Sequence, residues 1–219
     1  MFSEREKCVR CVGLACVAVM LIAAAPAEPP VVRVRLDTTA GPITLAIDYR
    51  HAPKTAVNFL QYVDDGRLDG TSFYRASRKA GHPDLGFVQG GIGTDARRKL
   101  DMLPLEPTSQ TGLRHVSGAI SMARYANPAS GSANFSLLVG PSPNLDAKPG
   151  SPGYAVFGHV LSGMEVVKRM LAMPTAPGGD EDMKDQMLVR PVTIVHAVRL
   201  DGTAKPTGRP KVWLMFKGL

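Results

Sequence analysis

From Val32 onwards the hydrophobic positions of this chain alternate with polar ones. Val32, Val34 and Leu36 are each separated by one residue, and Ile43, Leu45 and Ile47 repeat the pattern after Thr39-Ala40-Gly41-Pro42. A period of two turns one side of each segment to a core, so the pair reads as an opening β-hairpin. From Pro53 to Val63 the period lengthens. Val57, Leu60 and Val63 have helical spacing, with Pro53 near the start and Gly66 past the end. A second helical stretch runs from about Gly163 to Met173, carries Met164, Val167 and Leu171 on one face, and is stopped by Pro174. Short apolar runs at Ala119–Met122, Phe135–Val139, Ala155–Val160 and Val192–Leu200 are of strand type, and no internal repeat is present. Many short strands with only two helices predict a mainly β chain, closed as a barrel or stacked as a sandwich.

The beginning of the chain changes that picture. Arg5, Lys7 and Arg10 precede an apolar run from Val12 to Ala25, and Ala25-Pro26-Ala27 is a small-x-small sequence. This is the make-up of a cleavable secretory signal over residues 1–27. The run is short for a bilayer span, which needs about 20 apolar residues. A lipoprotein signal through Cys16 fits less well, because Gly13 stands where a branched apolar residue is wanted. The expected location is the periplasm or the exterior, without stable membrane insertion after cleavage. Cys8, Cys11 and Cys16 all fall in this leader, so the mature chain has no disulfide, zinc-thiolate site or cysteine nucleophile. Its roughly 190 residues suffice for one self-supporting core.

The chain carries a formal charge of +7, and removing the leader's three basic and two acidic residues leaves +6. The positive residues are scattered apart from Arg97-Arg98-Lys99, and no aromatic residues interleave with that cluster. A single-strand nucleic-acid groove needs such stacking platforms, so a solvated basic surface and no nucleic-acid partner are expected. His51, His82, His115, His159 and His196 show no metal-ligand spacing, and no Gly-x-Ser-x-Gly elbow supports a hydrolase.

Four sequence blocks point to one family. They are Phe73-Tyr74-Arg75, then Gln89-Gly90-Gly91, then Gly112-Leu113-Arg114-His115 through Ile120-Ser121-Met122-Ala123-Arg124, and finally Gly153-Tyr154-Ala155-Val156-Phe157-Gly158. In this order, with Asn144-Leu145-Asp146 between the last two, they resemble a cyclophilin of the bacterial periplasmic branch. The resemblance covers about Val32 to Leu200. It implies an eight-stranded antiparallel cyclophilin-like barrel capped by two α-helices, in a domain spanning 28–200 with a C-terminal extension at 201–219. Outside the family outline fall a lengthened loop at Ala76–Leu85, a polar excursion at Thr175–Leu188, and the tail. The apolar pentad Val212-Trp213-Leu214-Met215-Phe216 in that tail has three readings open to it, docking on the barrel, meeting a partner or staying frayed, of which docking is the most ordinary.

The implied activity is peptidyl-prolyl cis-trans isomerisation: a cofactor-free, metal-free monomer acting on proline-containing unfolded or exported polypeptides. The barrier to X–Pro rotation is about 18–20 kcal/mol of amide resonance, and it falls when the proline nitrogen's lone pair leaves conjugation. A guanidinium suits this task because it stays charged and presents a rigid fork of donors. Arg75 matches the family's catalytic arginine, and Gln89 the glutamine that holds it and bonds the substrate backbone. Ala123 matches the residue whose main chain pairs with the peptide, a short β-augmentation. Met122 precedes it, Arg124 follows it, Leu145 matches an apolar wall, and Tyr154 replaces the histidine of many eukaryotic members.

The proline pocket departs from the family pattern Phe-Met-x-Gln-Gly-Gly. Phe87 stands at the methionine position and Gly86 leaves the phenylalanine position empty. Counted without gaps from Met122 to Asp146, Asn134 takes the later glutamine position, Phe135 the core-facing aromatic, and Ser136 the pocket-floor phenylalanine. A one-residue gap would put Phe135 in the pocket and Asn134 in the core. The ungapped register is preferred because it keeps the polar residue out of the interior. Two lost walls imply reduced or narrowed activity. The alternative is a catalytically weakened binding module or chaperone on the same barrel.

Overall fold

The computed structural model describes residues 29–179 and 181–215; the expected signal and Phe216 lie outside them. The opening hairpin forms as its alternation requires. β1 (Val31–Thr38) pairs antiparallel with β2 (Gly41–Asp48), and Val32, Val34, Leu36, Ile43, Leu45 and Ile47 are fully buried. The remaining strands are β3 (Thr71–Lys79), β4 (His82–Gly91), β5 (Ala119–Met122), β6 (Phe135–Val139), β7 (Val156–Ser162), β8 (Thr175–Ala176) and β9 (Met187–Arg199). The order β1-β2-β7-β5-β6-β4-β3-β9, with β9 returning to β1, closes an eight-stranded antiparallel barrel; the two-residue β8 lies beside β9 outside the ring. Closure removes the unpaired edges that an open sheet would expose.

Two longer helices pack against the barrel: α1 (Pro53–Asp64) and α3 (Met164–Ala172). A third, α2 (Thr108–Thr111), is a single turn that the sequence pattern had not suggested. Phe59 of α1 meets Phe135 of β6 edge-on with ring centroids 5.3 Å apart, and Phe73 of β3 meets the same ring at 5.7 Å. Edge-to-face pairs of this kind add about 0.5–1.5 kcal/mol beyond area burial. The stripe that α1 buries differs from the expected one: Val57 is 36% exposed, while Ala56, Phe59, Leu60 and Val63 are buried. A stripe through 56, 59/60 and 63 also satisfies helical spacing, and it brings Phe59 inwards, which stabilises more than Val57 would.

Of the three segments outside the family outline, one differs from expectation. Ala76–Leu85 is not a loop. β3 and β4 continue through it as a hairpin arm turning at Ala80-Gly81, with Arg78 opposite Gly86 and Lys79 opposite His82. Its outer residues are exposed, so no buried face imprinted a period of two on the sequence. The Thr175–Leu188 excursion folds back on itself. The Gly178 N–H donates to the Asp185 carboxylate at 2.8 Å, and the Asp185 N–H donates to the Gly178 carbonyl at 2.7 Å.

The tail docks. Trp213 is 3% exposed, and its ring lies against the guanidinium carbons of Arg67 and Arg98, 4.7 and 5.2 Å from the centroid. Arg67 is itself buried and paired with Asp65 at 2.7 Å, and Asp65 also accepts from the Thr207 N–H at 2.7 Å. Burial raises the pKa of Asp65, but the bonds from Thr207 and Arg67 outweigh it and hold the carboxyl below its usual range.

Candidate active site

Val88, Leu137 and Ile120 fill the barrel interior, so their neighbours on β4, β6 and β5 point outwards. Arg75 is in register with Gln89, Gln89 with Ser136, and Ser136 with Ser121. Four polar side chains from four strands thus form a row on the outer wall. Two residues along, Ser77, Phe87 and Leu138 form a second row. Leu138 joins Ala119 and Val156 in a small apolar cluster outside the main core, with half-buried Phe87, Leu113 and Leu145 packed against it. A polar row with Arg75 as its cation therefore runs beside an apolar patch.

Arg75 is held on several sides. Its Nη1 donates to Gln89 Oε1 at 2.9 Å, its Nε to Gln186 Oε1 at 2.9 Å, and its Nη2 to the Asp182 carbonyl at 2.5 Å. The guanidinium also faces the Phe87 ring, 5.3 Å from the centroid. Gln89 is fixed in turn, because its Nε2 donates to the Tyr74 hydroxyl at 2.9 Å. Burial lowers the pKa of Arg75, opposed by Tyr74 and Asp182, and burial raises the pKa of the Tyr74 phenol. Each Nη carries two N–H bonds and commits one of them, so the fork keeps donors to offer.

The other expected residues divide. Ser136 is half-buried on the outer row, whereas Phe135 (0% exposed) and Met122 (4%) turn into the core. Those two contribute backbone, not side chains, to the groove face, and this is the ungapped register. Asn134 does not reach into the core. Its side chain accepts from the Gly93 N–H and donates to the Gly93 carbonyl, both at 2.9 Å, clamping the loop after β4 to β6. The Ala123 N–H donates to the Asn134 carbonyl at 2.8 Å. Arg124 stacks on Tyr154 at 4.6 Å and donates to the Gly153 carbonyl at 3.0 Å, so these two form a pair of their own. Leu145 sits on the apolar patch.

Gly86 is a glycine for a backbone reason. Its φ is +142°, and a Cβ there would lie 2.0 Å from the Ser77 carbonyl oxygen. The hairpin arm of β3 and β4 closes over the very position where the family pattern has phenylalanine, so this backbone cannot carry that ring.

Several residues of the site escaped the sequence reading. Leu113 lies in a quoted block but is one apolar residue among polar ones, without periodicity to mark it. Gln186 and Asp182 lie more than a hundred residues from Arg75, in a segment of no regular pattern. His115 lines up with Asp146 (Nδ1 to Oδ1, 2.7 Å) and with Ser121 (Nε2 to Oγ, 2.9 Å). This is the connectivity of a nucleophilic triad, but all three residues are 9% exposed or less, so no substrate carbonyl reaches Ser121. The line ties the Leu145 turn to β5. Burial lowers the pKa of His115 more than Asp146 raises it, which suits a neutral ring accepting the serine hydroxyl.

A closed antiparallel barrel bearing a restrained guanidinium beside an outer apolar patch defines the class of proline-bond isomerases built on β-barrels. Residues 32–199 match the family described as cyclophilin type peptidyl-prolyl cis-trans isomerase. The chain is 37% identical over 142 residues to peptidyl-prolyl cis-trans isomerase A of Dickeya dadantii, covering 65% of this chain and 72% of that protein. It is 35% identical over 168 residues to peptidyl-prolyl cis-trans isomerase cyp18 of Streptomyces antibioticus, covering 75% and 96%. In fold it resembles a cyclophilin type peptidyl-prolyl cis-trans isomerase of Cryptosporidium parvum, with TM-score 0.60, 21% identity, and coverage of 79% and 99%. The chain belongs to the cyclophilin-type peptidyl-prolyl cis-trans isomerase family, and it is an isomerase of that kind.

Proposed function

We propose that this isomerase acts on X–Pro bonds of exported proteins folding outside the cytoplasm, with Arg75 as the catalytic residue and a rate reduced by its altered pocket. The observation that carries the reading is the mounting of Arg75. Its guanidinium is fixed by Gln89 and Gln186 at the border of the apolar patch and still has N–H bonds to give.

Rotation needs no proton transfer and no covalent intermediate. As the amide twists, the proline nitrogen becomes pyramidal and its lone pair turns into a hydrogen-bond acceptor, which the ground state lacks. A fixed N–H aimed at that nitrogen therefore binds the twisted form more tightly than either planar form. A charge-assisted hydrogen bond contributes about 1.5–3 kcal/mol, which is roughly one to two decades of rate. Phe87, Leu113 and Leu145 exclude water from one side of the ring, strengthening that bond. The Gly86 and Ser136 positions give less grip than a phenylalanine pair, so substrate is held more weakly.

Export is supported by the basic and apolar leader ending at Ala27, and the basic, cysteine-free mature chain suits an oxidising compartment without needing it. The weakened grip also supports a second reading, in which the barrel holds unfolded chains and scarcely turns them over.

One experiment separates these. Exchange spectroscopy on an Ala-Pro-containing peptide measures cis–trans interconversion with wild type and Arg75→Ala. A wild-type rate at least about tenfold above the variant supports arginine assistance. Equal catalysed rates remove that assignment, and binding without acceleration by either protein supports the holding role.

A further inference from the structure

The half of the Arg75 mount that comes from outside the barrel has the features of a built device. Gln89 holds one end of the guanidinium from the neighbouring strand. The other two acceptors come from the turn between β8 and β9: the Gln186 side chain on Nε and the Asp182 carbonyl on Nη2. That turn is itself anchored. The Gln186 carbonyl accepts from the Ala76 N–H at 2.9 Å, one residue beyond Arg75, and the Gln186 N–H donates to the Met183 carbonyl at 3.1 Å. Asp185 takes the left-handed φ of +59° and closes the turn onto Gly178. Gln186 is therefore fixed by its own backbone to the strand that bears Arg75.

The geometry assigns Gln186 as the positioning residue of the catalytic arginine: it sets the rotation of the guanidinium plane, so that the remaining Nη donors face the groove. This deepens the proposed function and rests on it. The argument is directional. Gln89 on Nη1 and the Asp182 carbonyl on Nη2 hold the outer ends of the fork. The bond at Nε, next to the side-chain stem, fixes the torsion that turns the plane. Neutral amide oxygens suit both positions. A carboxylate there would pair with the charge and draw it away from the substrate nitrogen, whereas an amide orients without neutralising. The Phe87 ring covers one face of the plane, leaving edge-on donation as the use of the fork. Positioning acts on the twisted amide and not on ground-state binding, so kcat and not KM is the parameter it governs.

The test uses the full mature chain, with wild type, Arg75→Ala, Gln186→Leu and Gln186→Glu compared by peptide exchange spectroscopy and by the 15N resonance of the Arg75 Nε–H. Gln186 is half-buried in a surface turn, and matching melting curves confirm that each variant is folded. Gln186→Leu is expected to lower kcat about tenfold at unchanged KM and to shift the Arg75 Nε–H resonance towards that of a free guanidinium. Gln186→Glu keeps an acceptor. Its activity is expected to be low when the new carboxylate is ionised and to recover as pH falls through the carboxyl range. Tyr74, Tyr154 and Asp182 are the other groups acting electrostatically on Arg75; wild type carries all three and serves as the control over the same pH series. Gln186→Leu as fast as wild type, with Arg75→Ala slow, overturns the positioning role and leaves the catalytic arginine standing. Wild type no faster than Arg75→Ala overturns both.

Discussion

Ser136→Phe restores a ring where the family pattern has one, and the structure fixes what that ring should do. Position 136 points outwards between Gln89 and Ser121, half-buried, with Leu138 two residues along the same strand. The Ser121 side chain is small and tied back to His115, so the new ring has space over the border of the apolar patch. Full burial of a phenylalanine contributes about 1.5–3 kcal/mol. The floor of an open groove realises about half of that against a bound proline, which is roughly a four- to twelvefold fall in KM or peptide Kd. Titration of a Pro-containing peptide followed by NMR reads the affinity, and exchange spectroscopy reads the rate. The partner substitution, Gly86→Phe, should behave oppositely despite restoring the same family pattern. A Cβ 2.0 Å from the Ser77 carbonyl on a backbone of φ +142° has to displace the hairpin arm, at a cost of about 3 kcal/mol or more. Its melting temperature should drop with no gain in affinity. A folded Ser136→Phe with unchanged peptide affinity would refute the reasoning, as would a Gly86→Phe that keeps wild-type stability.

Two further outcomes are expected. Trp213→Ala removes a ring that covers two guanidinium faces. Burying a core tryptophan is worth about 3–5 kcal/mol, and uncovered arginines regain water, so a loss of about 2–3 kcal/mol should appear in urea unfolding; less than about 0.5 kcal/mol would mean that the tail contributes nothing. His115 has a folded pKa below its unfolded value of 6.5 because of burial. The unfolded chain therefore takes up the proton first as pH falls, and stability declines as pH drops below about 6.5. His115→Gln should flatten this part of the melting temperature–pH profile, and an unchanged slope would count against the assignment.

Much of the barrel was legible from its buried side chains. β1 alternates because it buries every second residue, whereas Ala119–Met122 and Phe135–Val139 were read with their observed bounds as short apolar runs because nearly all their residues are buried. The hairpin arm at Ala76–Leu85 was misread because its tip, from Lys79 to Asp84, is exposed and leaves too few buried positions to mark a period of two. The α1 stripe was misread because Val57 and Phe59 both fit a helical period, and only the barrel's interior chooses between them. The start of α1 shows the same limit. Its N-cap, Ala52, has no side chain to offer, and the Glu106 carboxylate supplies the acceptor instead, bonding the Lys54 and Thr55 N–H groups at 3.1 and 2.7 Å from more than fifty residues away. No local window contains that pairing.

What the sequence by itself determined was the family and, through it, the closed barrel, and it singled out Arg75 and Gln89 as candidates, because residue types and the spacing within each block are local properties. The tertiary structure alone decided that Ser136 faces out while Phe135 faces in, that Gly86 is forced by a carbonyl of the facing strand, and that Gln186 and Asp182 complete the arginine's mount. Each of those depends on a contact between segments whose separation along the chain carries no information about their distance in space. Barrel closure sets that distance.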